Sequence, residues 1–104
     1  MNGKTYELRI LPLFEYDLNE IVDYITLRLK NPAAALRLVD DLEAAIQERL
    51  ACPESFEPYR SAKERRYPYY QLRVRGFTVF YVVIGNVMEV RRILYSRQDW
   101  KQKL

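Results

Sequence analysis

The most constraining feature of this chain is the order in which its hydrophobic period changes. Residues 4–11 alternate between apolar and polar positions, which is the period of a β-strand. Residues 14–29 and 33–50 repeat every three to four positions, which is the period of a helix. Residues 67–75, 77–84 and 87–95 return to strand character. The order β-α-α-β-β-β predicts an α+β fold in which a helical hairpin packs on one face of a mostly antiparallel four-stranded sheet.

Local signals set the boundaries of these elements. Pro12 ends the first strand, and Asn31-Pro32 separates the two helices because the residue before proline avoids the α region. Asp17, followed three residues later by Glu20, is typical of a helix cap. The Gly85-Asn86 pair between two strand-like runs predicts a type II′ hairpin turn. We therefore expect two helices that fold back on each other and three consecutive strands.

The whole chain of 104 residues is expected to form one domain. It contains no internal repeat, no low-complexity run and no glycine–serine linker. Its single cysteine, Cys52, excludes an internal disulfide, and no signal peptide or membrane-length apolar segment is visible. These features predict a cytoplasmic protein without membrane contact.

The charge is distributed unevenly between the two halves. Residues 1–52 contain six lysines and arginines and nine acids, whereas residues 53–104 contain eleven basic residues and five acids. The second half therefore carries a net charge of +6 against −3 for the first, which favours an anionic partner for the second half. Tyrosines interleave with these arginines, a pattern that also occurs in nucleic-acid-binding surfaces.

Residue chemistry narrows the catalytic possibilities. The chain has no histidine, which excludes a Ser-His or Cys-His nucleophile system and removes the commonest metal ligand. We expect no metal and no cofactor. If the chain is an enzyme, arginines must stabilise charge, and lysine, tyrosine or glutamate must transfer protons. The face of the sheet away from the helices is expected to be free and to present Gln71, Arg73 and Arg75.

Five segments, in order, resemble the RelE/ParE toxins of type II toxin–antitoxin systems: DLNEIVDYI (17–25), NPAAA (31–35), YYQLRV (69–74), FTVFYVV (77–83) and RILYSRQDW (92–100). The resemblance covers almost the whole chain. It implies a growth-inhibiting toxin, of the kind linked to plasmid stabilisation, that a cognate antitoxin neutralises. Charge predicts that the antitoxin carries an acidic amphipathic segment. RelE-like members cut mRNA on the ribosome, whereas ParE-like members poison DNA gyrase.

The resemblance also implies site residues. In RNA-cutting members the catalytic positions correspond here to Arg73, Arg97 and Tyr95, the last standing where many relatives have histidine. Gln71 stands where a lysine is common, and Thr78 stands where the central-strand arginine is found. Losing one such donor costs roughly 10²–10³ in rate. The remaining target-binding candidates are basic residues of the second half: Arg60, Lys63, Arg65, Arg66 and Arg75.

Three functions follow as hypotheses. The missing central-strand arginine favours a ParE-like toxin acting on gyrase. The alternative is a metal-free, ribosome-dependent mRNA endoribonuclease. A third reading is a non-toxic or decayed module that only binds an antitoxin.

Overall fold

The predicted order of elements is confirmed in the computed structural model, which describes residues 5–59, 66–97 and 103–104. The strands are β1 (Glu7–Ile10), β2 (Tyr70–Val74), β3 (Phe77–Ile84) and β4 (Val87–Tyr95). The helices are α1 (Pro12–Asp23), which continues into a π-helical segment (Tyr24–Arg28), and α2 (Pro32–Leu50). No helix in the described part of the chain is long and apolar enough to cross a membrane.

The four strands form one open sheet in the order β1-β4-β3-β2. The pairs β2–β3 and β3–β4 are antiparallel hairpins, and β1 pairs in parallel with β4. The Gly85-Asn86 turn has positive φ only at the glycine (62°), as a type II′ turn requires. In the β2–β3 turn both Arg75 (φ 50°) and Gly76 (φ 81°) are left-handed, which is the type I′ pattern.

Asp17 and Glu20 do not cap the first helix, so that prediction is wrong: the helix begins at Pro12, and both residues lie inside it. Pro12 occupies the first turn, where its missing N–H costs nothing, and Leu11 is the N-cap residue. The second helix is capped as its sequence suggests: the Asn31 side chain accepts a hydrogen bond of 3.1 Å from the Ala34 amide. Lys30, with a φ of 53°, makes the left-handed turn between the helices.

The main core lies between the helices and one face of the sheet, and we call it the helix-side core. α1 packs against β4, α2 packs against β2, and α2 meets the first helix mainly at its π-helical segment. The buried residues of the helix-side core include Phe14 of α1, Leu38 and Leu42 of α2, and Val79 and Ile93 of the sheet. Burying a side chain of this size stabilises the fold by about 1.5–3 kcal/mol.

The opposite face of the sheet, here the far face, is not free as the sequence analysis expected. A second apolar cluster, the far-face cluster, is built on Tyr69, Phe80, Val82 and Leu94, with Tyr59, Tyr67, Ile84 and Leu104 packed against it. Phe80 is fully buried, and the rings of Tyr59 and Tyr69 meet it edge-on at 5.9 and 6.0 Å. The cause is β3, which is apolar on both faces and therefore needs cover on both.

Candidate functional site

Gln71 and Arg73 lie on the far face, as predicted. Arg73 is opposite Thr78 on β3, which is in turn opposite Leu94 on β4. Since paired residues share a face, Arg73 shares the face of Leu94, a member of the far-face cluster. Arg73 is exposed and has no ion pair within the described residues. Gln71 is half-buried, and its backbone carbonyl accepts a 3.0 Å hydrogen bond from the Arg49 guanidinium.

Arg75 does not join these residues, contrary to the sequence prediction. It sits in the left-handed turn after β2, and its guanidinium forms an ion pair with Asp41 of α2. The pair is about half exposed on both sides. Arg75 therefore points toward the helices rather than over the far face.

Tyr95 and Arg97 lie at the end of β4. Tyr95 is paired with Phe77, whose ring is 5.7 Å away, and Phe77 packs on the helix-side core. Tyr95 is therefore on the side of the helices, on the face opposite Arg73. Arg97 is exposed just beyond the strand. The pairing does not bring Arg73 and Tyr95 onto one face, as a shared catalytic centre would require.

Thr78 occupies the position where the central-strand arginine of RNA-cutting toxins was expected. Its side chain is fully buried, and its hydroxyl is 2.8 Å from the hydroxyl of Ser96. The neighbouring Ser96 amide donates to the Gly76 carbonyl at 2.9 Å. This position therefore fastens the end of β4 to β3 and presents no cation to a substrate.

Of the remaining predicted basic residues, the structure describes only some. Arg66 is exposed, with its guanidinium carbon 5.4 Å from the centre of the Tyr67 ring. Arg60, Lys63 and Arg65 lie outside the described residues. Within the described residues, no group of three histidine, cysteine or acidic side chains is placed to hold a metal ion.

An ion pair between α1 and β4 was missed by the sequence analysis. Asp17 is only 8% exposed and accepts two hydrogen bonds from Arg92, at 2.7 and 2.9 Å. It also accepts a 3.2 Å hydrogen bond from the Ile93 amide. β1 pairs with β4 only as far as Val90, so Asp17 provides an acceptor for a backbone amide that has no neighbouring strand among the described residues. The carboxylate raises the pKa of Arg92, against the opposing effect of burial.

A second missed cluster joins β1 and β4 on the far face. The buried carboxylate of Glu89 accepts hydrogen bonds from Arg9 at 3.0 Å and from Arg91 at 2.8 Å. Burial alone would raise the pKa of Glu89, but the two arginines outweigh burial and hold it below its usual value. The only sequence signal was an acid in a mostly apolar strand. Buried acids are rare unless they are paired.

A groove of about 690 Å³ lies between the two helices and β1. Leu8, Ile10, Phe14, Leu18 and Leu42 are among the apolar side chains that line it. Acidic side chains also line it, from both helices: Glu15, Asp40 and Glu43. Within the described residues β1 is an edge strand, and no further strand pairs with its outer backbone groups. Such a groove beside a strand edge is suited to a peptide segment with apolar side chains.

The comparisons with known proteins agree with this architecture. Residues 8–100 match the family model described as the ParE toxin of the type II toxin–antitoxin system parDE. Among solved structures, the chain is similar to the chromosomal ParDE toxin–antitoxin system from P. aeruginosa, with a TM-score of 0.65 and 22% identity. That match covers 88% of this chain and 96% of the other. No curated protein sequence matches significantly.

Proposed function

Because this chain belongs to the ParE toxin family of type II toxin–antitoxin systems, we propose that it arrests growth when free of its antitoxin, by a ParE-like action on DNA gyrase in the cytoplasm. The observation that carries the choice of target is the buried Thr78–Ser96 pair. It stands where an RNA-cutting relative needs a cation. The placement of Arg73 and Tyr95 on opposite faces also argues against an assembled nuclease centre.

The target-binding surface we propose includes Arg73 on the far face and Arg97 just beyond the end of β4. Both are exposed, and neither has an ion pair in the described part of the chain. Arginine suits this role because its planar guanidinium makes paired hydrogen bonds to carboxylates and phosphates. The buried far-face cluster lies on the same face as Arg73 and supports it.

The gyrase proposal predicts loss of supercoiling activity when the purified protein is added at micromolar concentration. Arg73→Glu should raise the concentration needed for half inhibition about tenfold, equivalent to about 1.4 kcal/mol of binding free energy. Arg37→Glu is the matched control, since Arg37 is an exposed arginine on α2. Unaffected supercoiling at 10 µM or so of wild-type protein would contradict the proposal. Primer extension on translated mRNA would then test the endoribonuclease alternative.

The family also implies an antitoxin as partner, and we propose that one segment of it occupies the groove between the helices and β1. The apolar lining offers anchorage, and the free edge of β1 offers backbone hydrogen bonds. The acidic residues expected of the antitoxin would not face this groove, because Glu15, Asp40 and Glu43 would repel them. They belong instead opposite the exposed arginines Arg73 and Arg97.

Ala44→Arg tests the groove, since Ala44 lines it and is exposed. An arginine there fills the groove, so affinity for the co-expressed antitoxin should fall at least about tenfold, or 1.4 kcal/mol, in calorimetry. Ala33→Arg, on an exposed position at the start of α2 outside the groove, is the control. Equal affinities of both variants would exclude the groove as the antitoxin site.

A further inference from the structure

The backbone of β1 directs alternate residues toward β4 and away from it. The amides of Glu7 and Leu11 donate hydrogen bonds toward β4, at 2.8 and 3.0 Å. Because backbone groups alternate between the two edges of a strand, those of Leu8 and Ile10 point to the outer edge. In the part of the chain that the structure describes, no strand lies beyond that edge. The outer groups of Leu8 and Ile10 are therefore open to a strand from another molecule.

The side chains of β1 also alternate, and the two faces differ in chemistry. Leu8 and Ile10 line the groove on the side of the helices. On the far face, Arg9 is paired with Glu89 of β4, and Glu7 is exposed two residues earlier. A strand added to this edge would direct its side chains alternately into the groove and over the far face. Its groove positions would meet apolar side chains, and the position between them would meet Arg9.

The charge at Arg9 is only partly neutralised. One buried carboxylate, that of Glu89, accepts hydrogen bonds from both Arg9 and Arg91, so the cluster of three keeps a net positive charge. The Arg91 side chain is 31% exposed, and its guanidinium carbon lies 5.9 Å from the centre of the Tyr69 ring. The Arg9 side chain is 55% exposed. The excess charge is therefore most accessible at Arg9, on a guanidinium that Glu89 already holds in place.

We propose that Arg9 selects an acidic side chain in the antitoxin segment, between two apolar residues of a strand that extends the sheet beyond β1. The inference rests on the antitoxin site proposed above. In an antiparallel addition, Leu8 and Ile10 would form hydrogen-bonded pairs, and Arg9 would stand in a non-hydrogen-bonded pair, where side chains are closest. The planar guanidinium can then bridge the new acid and Glu89. Glu7 repels an acid at the next far-face position, so the segment carries one acid there.

A double-mutant cycle tests the contact at Arg9. Arg9→Gln leaves Glu89 paired with Arg91 and should weaken binding of the co-expressed antitoxin about tenfold in calorimetry. Arg37→Gln, at an exposed arginine of α2, should change the affinity less than about twofold. Each acid of the antitoxin is then changed to its amide, and one change should weaken binding to wild type but not to Arg9→Gln. Wild-type affinity in Arg9→Gln, or no acid coupled to Arg9, would overturn the proposal.

Amide hydrogen exchange, measured by NMR on the free chain and on the complex, tests the added strand. The Leu8 and Ile10 amides should exchange at least about tenfold more slowly in the complex, because they gain acceptors. The Glu7 amide, already bonded toward β4, is the internal control. Unchanged exchange at Leu8 and Ile10, in a complex that Ala44→Arg weakens, would overturn the strand and leave the groove as the antitoxin site. Unchanged affinity in Ala44→Arg would instead contradict the groove itself.

Discussion

Asp17→Ala is expected to lower the free energy of unfolding by about 3–5 kcal/mol, because it leaves the Arg92 guanidinium buried without its partner. The side chains of the pair are only 8% and 15% exposed, so water cannot replace the lost carboxylate easily. The Ile93 amide loses its acceptor in the same step. A domain of this size has a stability of about 5–15 kcal/mol, so the variant should be marginal at 37 °C.

Urea unfolding followed by circular dichroism measures this effect, and Asp41→Ala provides the control. Asp41 also pairs with an arginine, Arg75, but both side chains are about half exposed, so the expected loss is below about 1 kcal/mol. A double-mutant cycle with Arg92→Ala should show strong coupling: removing both partners should cost less than the sum of the single losses. Additive losses would show that the pair contributes nothing as a pair.

Phe80→Ala is expected to lower the free energy of unfolding by about 3–5 kcal/mol, the usual cost of emptying a core position of this size. Phe80 is fully buried at the centre of the far-face cluster, where it contacts the rings of Tyr59 and Tyr69. The edge-to-face contacts would be lost together with the buried area. Local hydrogen exchange near Tyr59 should also increase, since its amide bonds to the Tyr69 carbonyl beside the emptied site.

Leu36→Ala is the control for this second prediction, because Leu36 is 67% exposed and its removal should change stability by less than about 0.5 kcal/mol. The same urea experiment measures the free energy of unfolding of both variants. A loss below about 1 kcal/mol for Phe80→Ala would mean that the far face is solvated, as the sequence alone suggested. Such a result would remove the rigid support that the proposed target-binding surface needs.

The sequence determined the helices, the strands and their order, because each element has its own local spacing of apolar residues. The bounds predicted for β3 and β4, residues 77–84 and 87–95, agree with the structure. The type II′ turn at Gly85 was also predictable, since few residues tolerate its left-handed backbone. For the site, the sequence predicted only which residue types it contains. These are exposed arginines of the second half, with no histidine to act as a base.

Only the tertiary structure decided which of these residues lie together. Asp17 and Arg92 are 75 positions apart, so no local pattern connects them. Tyrosines are amphipathic and can cover a core or face water, and packing against Phe80 decided that Tyr69 covers the far face. The left-handed turn directed Arg75 to Asp41, although strand alternation had placed it beside Arg73. Long-range pairing fixes such contacts, and sequence periodicity carries no information about it.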